Sequence, residues 1–254
     1  MPPLGNVEVA TILINAGADV EAKDDVRDNV PLYAAAANNH PSIVEILLAH
    51  NAAISPLNNN SFTPLAAAAG VGHVAVVEML LAGGAGPSQR LVGGHNPLAT
   101  AAISGHVAVV KALLAGGADP SQRLVGGRTA LHLLAVEIPV KEWSEACLMA
   151  LHKGGADIDA QADDGRTLLF MAAEAGSLDF VYLLSSLGAD ATITDHDGVL
   201  PEVIALQNGH EHICIALPHW NKVLRAVQMA QDEGISVGVA KIIQEWVVLG
   251  KGDT

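Results

Sequence analysis

The chain has 254 residues, of which 50% are hydrophobic and only 3% aromatic, and its formal net charge is −14 with a pI near 5.0. Such a chain can bury a continuous core, which must consist chiefly of Ala, Leu and Val. The acidic balance argues against binding of nucleic acid, because phosphate contacts need clustered Lys and Arg. It favours a protein partner with a basic patch.

The sequence contains no segment that points to a membrane or to secretion. No apolar run approaches the roughly 20 residues that span a bilayer, and no secretory signal is visible at the N-terminus. Cys147 and Cys214 fall in predicted helices, where buried, reduced thiols are expected rather than a disulfide. We therefore expect a soluble, intracellular monomer of the cytoplasm or the nucleus.

The chain repeats itself. Residues 72–94 and 105–127 are 33 residues apart and differ at only three positions, Glu78/Lys111, Met79/Ala112 and Gly86/Asp119. The leucine of a short Thr-Pro-Leu-like motif recurs every 33 residues and then once after 38 residues, at Leu32, Leu65, Leu98, Leu131 and Leu169. A fixed period of this length predicts a stacked repeat array, with one insertion of five residues.

One unit shows the predicted structure. Thr63 and Pro64 are a capping hydroxyl and a first-turn proline, so a short helix is expected to begin there. Gly72-His73 breaks that helix, and residues 74–81 have the apolar spacing of a second helix. Gly83-Gly84 ends the second helix, and an extended finger leads to the next unit. A single unit cannot bury its own apolar face, so neighbouring units must stack into a helical solenoid.

These motifs resemble those of ankyrin repeats, over residues 5–217. The Thr-Pro-Leu-His signature stands at residues 129–132 as Thr-Ala-Leu-His and at residues 63–66 as Thr-Pro-Leu-Ala, and the Gly-Ala-Asp end occurs at residues 17–19, 117–119, 155–157 and 188–190. The resemblance implies an all-α ankyrin-repeat helical solenoid of paired antiparallel helices with β-hairpin-like finger loops. It also implies internal hydrogen bonds from the break histidines His73, His106 and His210. Thr129 and His132 keep both the threonine and the histidine of the Thr-Pro-Leu-His motif. Where Ala66 and Ala99 replace the histidine of this motif, we expect the hydrogen bond of that histidine to be lost and the unit to be less rigid.

In chain order, residues 1–23 are a partial N-terminal repeat whose Val7, Val9, Ile12 and Leu13 lack a neighbour, which suggests a fragment of a longer array. Residues 24–217 form the array, and in its first complete unit Asn51 is expected to take the left-handed position of a glycine. The insertion around Pro139 is predicted to be a loop between paired helices. Leu200-Pro201-Glu202-Val203 is a degraded motif in the last unit, and residues 218–254 are predicted to be a helical cap or linker.

No catalytic, cofactor or metal site is predicted. His210, His212, Cys214 and His219 are the tightest cluster of possible zinc ligands, but no second Cys/His pair at finger spacing completes a site. Asp195-His196-Asp197 could be an acid–base pair. We expect these residues to lie on an exposed finger, however, where contact with water would keep their side-chain pKa values close to those of free side chains. The turn glycines also lack the Lys-Ser/Thr of a phosphate loop.

The remaining candidate is a surface that binds a protein, which the resemblance places on the concave side. The finger tips are then residues 23–27, 58–62, 89–92, 122–125, 163–166 and 195–197. Binding energy concentrates in arginine and aromatic residues, so exposed apolar and Arg residues at these tips are the predicted anchors. They are Phe62, Arg90, Leu91, Arg123, Leu124 and Arg166.

The predicted function is therefore a protein–protein interaction module, a scaffold, adaptor or targeting arm without catalysis of its own. Two alternatives stay open. The chain could be the recognition segment of a larger enzyme or effector, or a purely structural array with no tight partner. The unit with the insertion and the degraded last unit are expected to be the least stable parts.

Overall fold

The computed structural model describes residues 4–91, 93–136 and 142–217, which contain thirteen α-helices, one 3₁₀ turn (Val125–Gly127) and no strand. The first helix belongs to the partial repeat, and the others form pairs. They are α1 (Leu4–Asn15), α2 (Pro31–Ala37), α3 (Pro41–Ala49), α4 (Pro64–Val71), α5 (Val74–Ala82), α6 (Pro97–Ile103), α7 (Val107–Ala115), α8 (Ala130–Val136), α9 (Glu142–Lys153), α10 (Leu168–Glu174), α11 (Leu178–Ser186), α12 (Pro201–Gln207) and α13 (Glu211–Ala216).

The helices pack in two compact units. One unit comprises Met1–Val125 with Ala146–Gly155, and the other Gly126–Glu145 with Ala156–Thr254. In the first unit, α4 packs between α2 and α6, and α5 packs between α3 and α7. In the second unit, α10 packs against α8 and α12, and α11 against α13. Each unit is therefore a stack in which first helices contact first helices and second helices contact second helices.

The helix starts are those that the motif predicts. Thr63 Oγ1 accepts a hydrogen bond of 3.1 Å from the Ala66 backbone N–H, and Pro64 stands in the first turn. Thr167 makes the same cap with the Phe170 N–H at 3.2 Å in the second unit. The predicted capping of these short helices is confirmed.

The helix ends need left-handed residues. Gly72 has φ +87°, and a Cβ built on it would lie 2.7 Å from the imidazole Nδ1 of His106. The position therefore requires both the conformational freedom and the small size of glycine. Asn51 has φ +62°, so the prediction that asparagine replaces glycine there is confirmed.

In the pairs α2–α3, α4–α5 and α6–α7 the core lies between the two helices. Leu32, Leu65 and Leu98 are at most 1% exposed, and the second helices contribute Val76 and Val109, both at 0%. The expected core of Ala, Leu and Val is confirmed.

Helix α1 lies beside α3. Val9, Ile12 and Leu13 are 55%, 65% and 54% exposed, whereas Val7 is half-buried. The predicted insertion loop and the predicted helices of residues 218–254 lie outside the described residues.

Candidate functional site

The finger tips of the first unit are closed by local hydrogen bonds. The Asn58 N–H donates to the Phe62 carbonyl at 3.2 Å, and the Leu91 N–H donates to the His95 carbonyl at 2.8 Å. Asn58 Oδ1 also accepts from the N–H groups of Asn60 and Phe62, at 3.0 and 2.9 Å. Each tip is a hairpin-like turn with a fixed backbone, although no strand is present in the described residues.

Neighbouring fingers are also bonded to each other. The Asn59 N–H donates to the Arg27 carbonyl at 2.9 Å. Gln122 Nε2 donates to the Ser88 carbonyl at 2.8 Å, and Arg90 Nη2 donates to the Arg123 carbonyl. These bonds between repeats hold successive tips in register, so the exposed side chains form an ordered edge.

The predicted anchors of the first unit divide into two groups. Arg90 and Arg123 are exposed and Phe62 is half-buried. Leu91 and Leu124, by contrast, are only 5% and 7% exposed, so the expectation that they are exposed apolar anchors is wrong. The reason is the alternation of side chains in an extended segment, which turns each leucine inward when the preceding arginine points outward.

The exposed apolar residues of these fingers are different ones. Val26 is 82%, Leu57 47% and Val125 68% exposed. The predicted tip ranges include Val26 and Val125, but the choice of anchors missed both. Val125 begins the 3₁₀ turn Val125–Gly127, and no local sequence signal identifies its exposure.

In the second unit, Arg166 is held in place from several sides. Its Nη1 donates to both carboxylate oxygens of Glu174, at 3.1 and 3.2 Å, and its guanidinium carbon lies 5.2 Å from the ring centroid of Phe170. Its Nε is 3.6 Å from Asp164 Oδ2, and about a third of the side chain stays exposed. Sequence reasoning missed Glu174, because the ion pair crosses from the finger to the end of α10.

The break histidines hold the repeats together as expected in two of three cases. His73 Nε2 bonds to the Ala37 carbonyl at 3.2 Å and His106 Nε2 to the Gly70 carbonyl at 3.1 Å. In the last repeat the prediction for His210 is wrong, since His212 makes the bond to the Gly176 carbonyl instead, at 3.4 Å. His210 packs its ring against the Cα of Gly176.

In the second unit the complete Thr-Ala-Leu-His motif forms a buried hydrogen-bond network around Thr129 and His132. His132 Nδ1 accepts from the Thr129 N–H at 3.1 Å, and Nε2 bonds to the Arg166 carbonyl at 3.2 Å. Burial lowers the pKa of His132, so the imidazole is neutral. This histidine connects one helix start to the following finger.

The candidate acid–base pair is a structural turn. Asp195 is 8% exposed rather than on the surface as expected, and its Oδ1 accepts from the N–H groups of Asp197 and Val199, at 3.0 and 2.8 Å. The His196 N–H donates to the Asp164 carbonyl at 3.0 Å, which links this finger to the preceding one. The carboxylate of Asp195 is therefore used in shaping the finger.

Both thiols are buried. Cys147 and Cys214 are both free and 0% exposed, and burial raises the pKa of each to about 11. The expectation of buried, reduced thiols is confirmed. In the described residues no group of three His, Cys, Asp or Glu side chains could hold a metal ion, and His219 of the predicted cluster lies outside them. None of the described helices is long and apolar enough to cross a membrane.

The stacked helix pairs and the short polar fingers that join them place this chain in the class of helical repeat proteins. The family model "Ankyrin repeats (3 copies)" matches residues 3–90 and 140–223, and the model "Ankyrin repeat" matches residues 93–123. The chain belongs to the ankyrin repeat family. The crystal structure of the human ASB11 ankyrin repeat domain superposes with a TM-score of 0.69 at 22% identity, over 84% of this chain and 94% of that chain.

Curated relatives match a short part of the chain. Protein fem-1 homolog C of Danio rerio is 46% identical over 44 residues, which are 17% of this chain and 7% of that protein. The Homo sapiens protein of the same name is 43% identical over 53 residues, which are 21% of this chain and 8% of that protein. The matches therefore cover less than a tenth of these relatives. Ankyrin repeats are protein-interaction modules, and the fold is typically a non-catalytic scaffold.

Proposed function

We propose that the chain binds a protein partner through its finger tips and the adjoining first helices, as a scaffold, adaptor or targeting arm without catalysis. The observation that carries the proposal is the preorganised row of tips. Hydrogen bonds within and between fingers fix the backbone, while Arg90 and Arg123 stay exposed. A surface that is ordered before binding loses less conformational entropy when a partner docks.

In the first unit the proposed contact residues are Phe62, Arg90 and Arg123, joined by the exposed Val125. In the second unit the proposed contact is Arg166, whose guanidinium is oriented by Glu174 and Phe170. An arginine that is already held in one rotamer is a favourable binding anchor, because little side-chain entropy remains to be lost. Leu91 and Leu124 support the tips from the interior.

Two further features support this proposal. The two free, buried cysteines suit a reducing, intracellular compartment. The acidic charge is concentrated outside the duplicated fingers, since residues 126–217 carry 14 acidic and four basic residues. A basic patch on the partner would be attracted to that acidic part of the chain. The alternative role, as recognition segment of a larger enzyme, stays a prediction that sequence beyond either end would test.

The test is a pull-down from lysate of the source organism with four full-length baits. They are the parent chain, the double variant Arg90→Glu plus Arg123→Glu, Arg166→Glu, and the control Lys111→Glu. The control reverses the same charge on an exposed position of α7, away from the tips. We expect quantitative mass spectrometry to find a partner with the parent and with Lys111→Glu that the double variant loses. Retention by all four baits would contradict binding at the fingers.

A further inference from the structure

We propose that the edge of the first unit formed by residues 58–62, 89–91 and 122–125, here called the duplicated-finger edge, docks an extended acidic segment of a protein partner. This inference rests on the proposed function and specifies the partner's chemistry at that surface. It differs from the expectation that the net charge alone supports, which is a partner with a basic patch.

Charge is strongly segregated along the chain. Residues 51–125 contain three basic residues (Arg90, Lys111, Arg123) and two acidic ones (Glu78, Asp119), so this stretch has a net charge of +1 in a chain of −14. The remainder therefore carries −15. Because exposed charges more than about 10 Å apart are largely screened at physiological salt, a docking segment responds mainly to the charges near it and not to the total. Those nearby charges include the finger at residues 23–28, which is bonded to Asn59 at one end of the edge.

The two acidic residues of this stretch lie away from the finger tips. Glu78 lies on α5, in the layer of second helices. Asp119 lies at the base of its finger, where its Oδ1 accepts from the Ser121 N–H at 2.9 Å. The first helices α4 and α6, with the sequences PLAAAAGV and PLATAAI, carry no charged side chain. The exposed charges at the tips themselves are Arg90 and Arg123.

Arg90 is positioned to bind a carboxylate. Its Nη2 donates to the Arg123 carbonyl, which places the guanidinium against the neighbouring finger and restricts its rotamers. A guanidinium has five N–H donors, so four are left for a ligand, and arginine binds carboxylates through two parallel bonds. The bond to Arg123 thus orients the group without exhausting it.

The spacing and the apolar neighbours fit an extended segment. Stacked repeats lie about 8–10 Å apart, as packed helices do, and an extended chain rises about 3.3 Å per residue. Acidic residues two or three positions apart could therefore meet Arg90 and Arg123. Val125 lies on the same side as Arg123, two residues away, is 68% exposed and covers the backbone of Gly94. An apolar side chain between or beside the acidic residues would pack on it.

A nucleic acid fits this edge less well than a peptide. Two arginines neutralise few phosphates, and the salt-dependent affinity for nucleic acid grows with the number of phosphates contacted. The apolar surfaces of Val125 and Leu57, which is 47% exposed, are complementary to aliphatic side chains. A peptide that mixes Asp or Glu with Leu or Val matches both parts of the edge.

The inference is tested by selecting random 12-residue peptides by phage display on the immobilised full-length chain. Dissociation constants of the enriched peptides are then measured by fluorescence polarisation with the parent, with Arg90→Gln plus Arg123→Gln, and with Lys111→Gln. We expect enriched peptides with at least two acidic residues. Their Kd should rise at least ~10-fold in the double variant and less than ~2-fold in the Lys111 control, and the affinity should fall as salt is raised. Circular dichroism verifies that each variant is folded.

Three results would overturn the inference. The first is a set of enriched peptides that the double variant no longer binds but that show no acidic excess, which would refute the acidic partner and leave binding at the fingers standing. The second is a failure of any peptide to depend on the two arginines, which would refute docking at this edge and leave Arg166 in the second unit as the remaining proposed arginine contact. The third is tighter binding of the parent to a 12-nucleotide oligo-dT probe than to any selected peptide, which would assign the edge to nucleic acid.

Discussion

Replacing Glu202 by leucine should stabilise the last repeat at neutral pH. Glu202 occupies, on α12, the position that leucine fills in the other complete repeats. In the second unit those leucines are Leu131 and Leu169, which are 1% and 0% exposed, and Glu202 is equally buried at 1%. Its Oε2 has no hydrogen-bond partner. A carboxylate without full hydrogen bonding is costly in such a site.

The size of the effect follows from the titration of this group. Burial raises the pKa of Glu202 from 4.5 to about 7. The folded state therefore binds the proton of Glu202 more tightly than the unfolded state does. The contribution of this proton to the free energy of unfolding is fully present below about pH 4.5 and is lost as the pH rises to about 7. At about 1.4 kcal/mol per pH unit, the loss amounts to roughly 3 kcal/mol. Leucine removes this loss and adds the transfer free energy of an apolar side chain, about 1–2 kcal/mol.

The groups around Glu202 do not offset its charge. On α13 the Cys214 thiol donates to the Glu202 backbone carbonyl at 3.4 Å, while Glu211 and His212 are exposed. On α10 the one ionisable side chain is Glu174, which is paired with Arg166. Among the described residues no basic side chain is hydrogen-bonded to the buried carboxyl, so burial remains the largest influence on its pKa.

The assay is native-state hydrogen exchange of the α12 and α13 amides at pH 5.0 and 7.5, corrected for intrinsic exchange rates. The parent should be less protected at pH 7.5 than at pH 5.0, and Glu202→Leu should be equally protected at both. Glu211→Leu, an exposed substitution on α13, is the control and should keep the pH dependence of the parent. Equal protection of the parent at both values, or weaker protection in Glu202→Leu, would refute the reasoning.

The remaining predictions concern the fingers, the helix ends and the array. Leu124→Ala should lower the free energy of unfolding by about 2–5 kcal/mol and Val125→Ala by less than about 0.5 kcal/mol, as measured by urea denaturation, and equal effects would contradict the assigned burial. Gly72→Ala should cost more than Gly84→Ala in the same measurement, because both have positive φ but only Gly72 contacts a following imidazole. Hydrogen exchange should protect residues 63–118 most, and uniform protection along the array would refute that ranking.

The architecture was predictable from the sequence because it is encoded locally and many times over. The cap at Thr63, the left-handed Asn51 and the glycine at residue 72 each depend on a few neighbouring residues, and the 33-residue period repeats them. Stacking then follows, since no single unit can bury its apolar face. In the repeats that keep the capping and glycine motifs, the predicted helices and their ends were confirmed.

The candidate site was less predictable because it depends on register and on contacts between repeats. The residues of a Gln-Arg-Leu-Val tip predict an exposed loop. Only the backbone conformation in the structure shows that the side chain of Leu124 is buried while those of Arg123 and Val125 are exposed. The pairing of Arg166 with Glu174 likewise requires the finger to fold back on α10. Neither relationship has a local sequence signature.

The duplicated repeats also show how a unit without the motif histidine keeps a hydrogen-bonded helix start. Ala99 removes the motif histidine, but Asn96 caps α6 by accepting from the Ala99 N–H at 2.7 Å and also bonds, through Nδ2, to Gln122 Oε1 of the next finger. Many structural bonds of the finger thus come from main-chain groups and inward-facing side chains. Arg90 adds one from an outward side chain, because its Nη2 donates to the Arg123 carbonyl of the next finger. Circular dichroism and urea denaturation of the Arg90 and Arg123 variants must therefore separate an effect on binding from an effect on the fold before the duplicated-finger edge is judged.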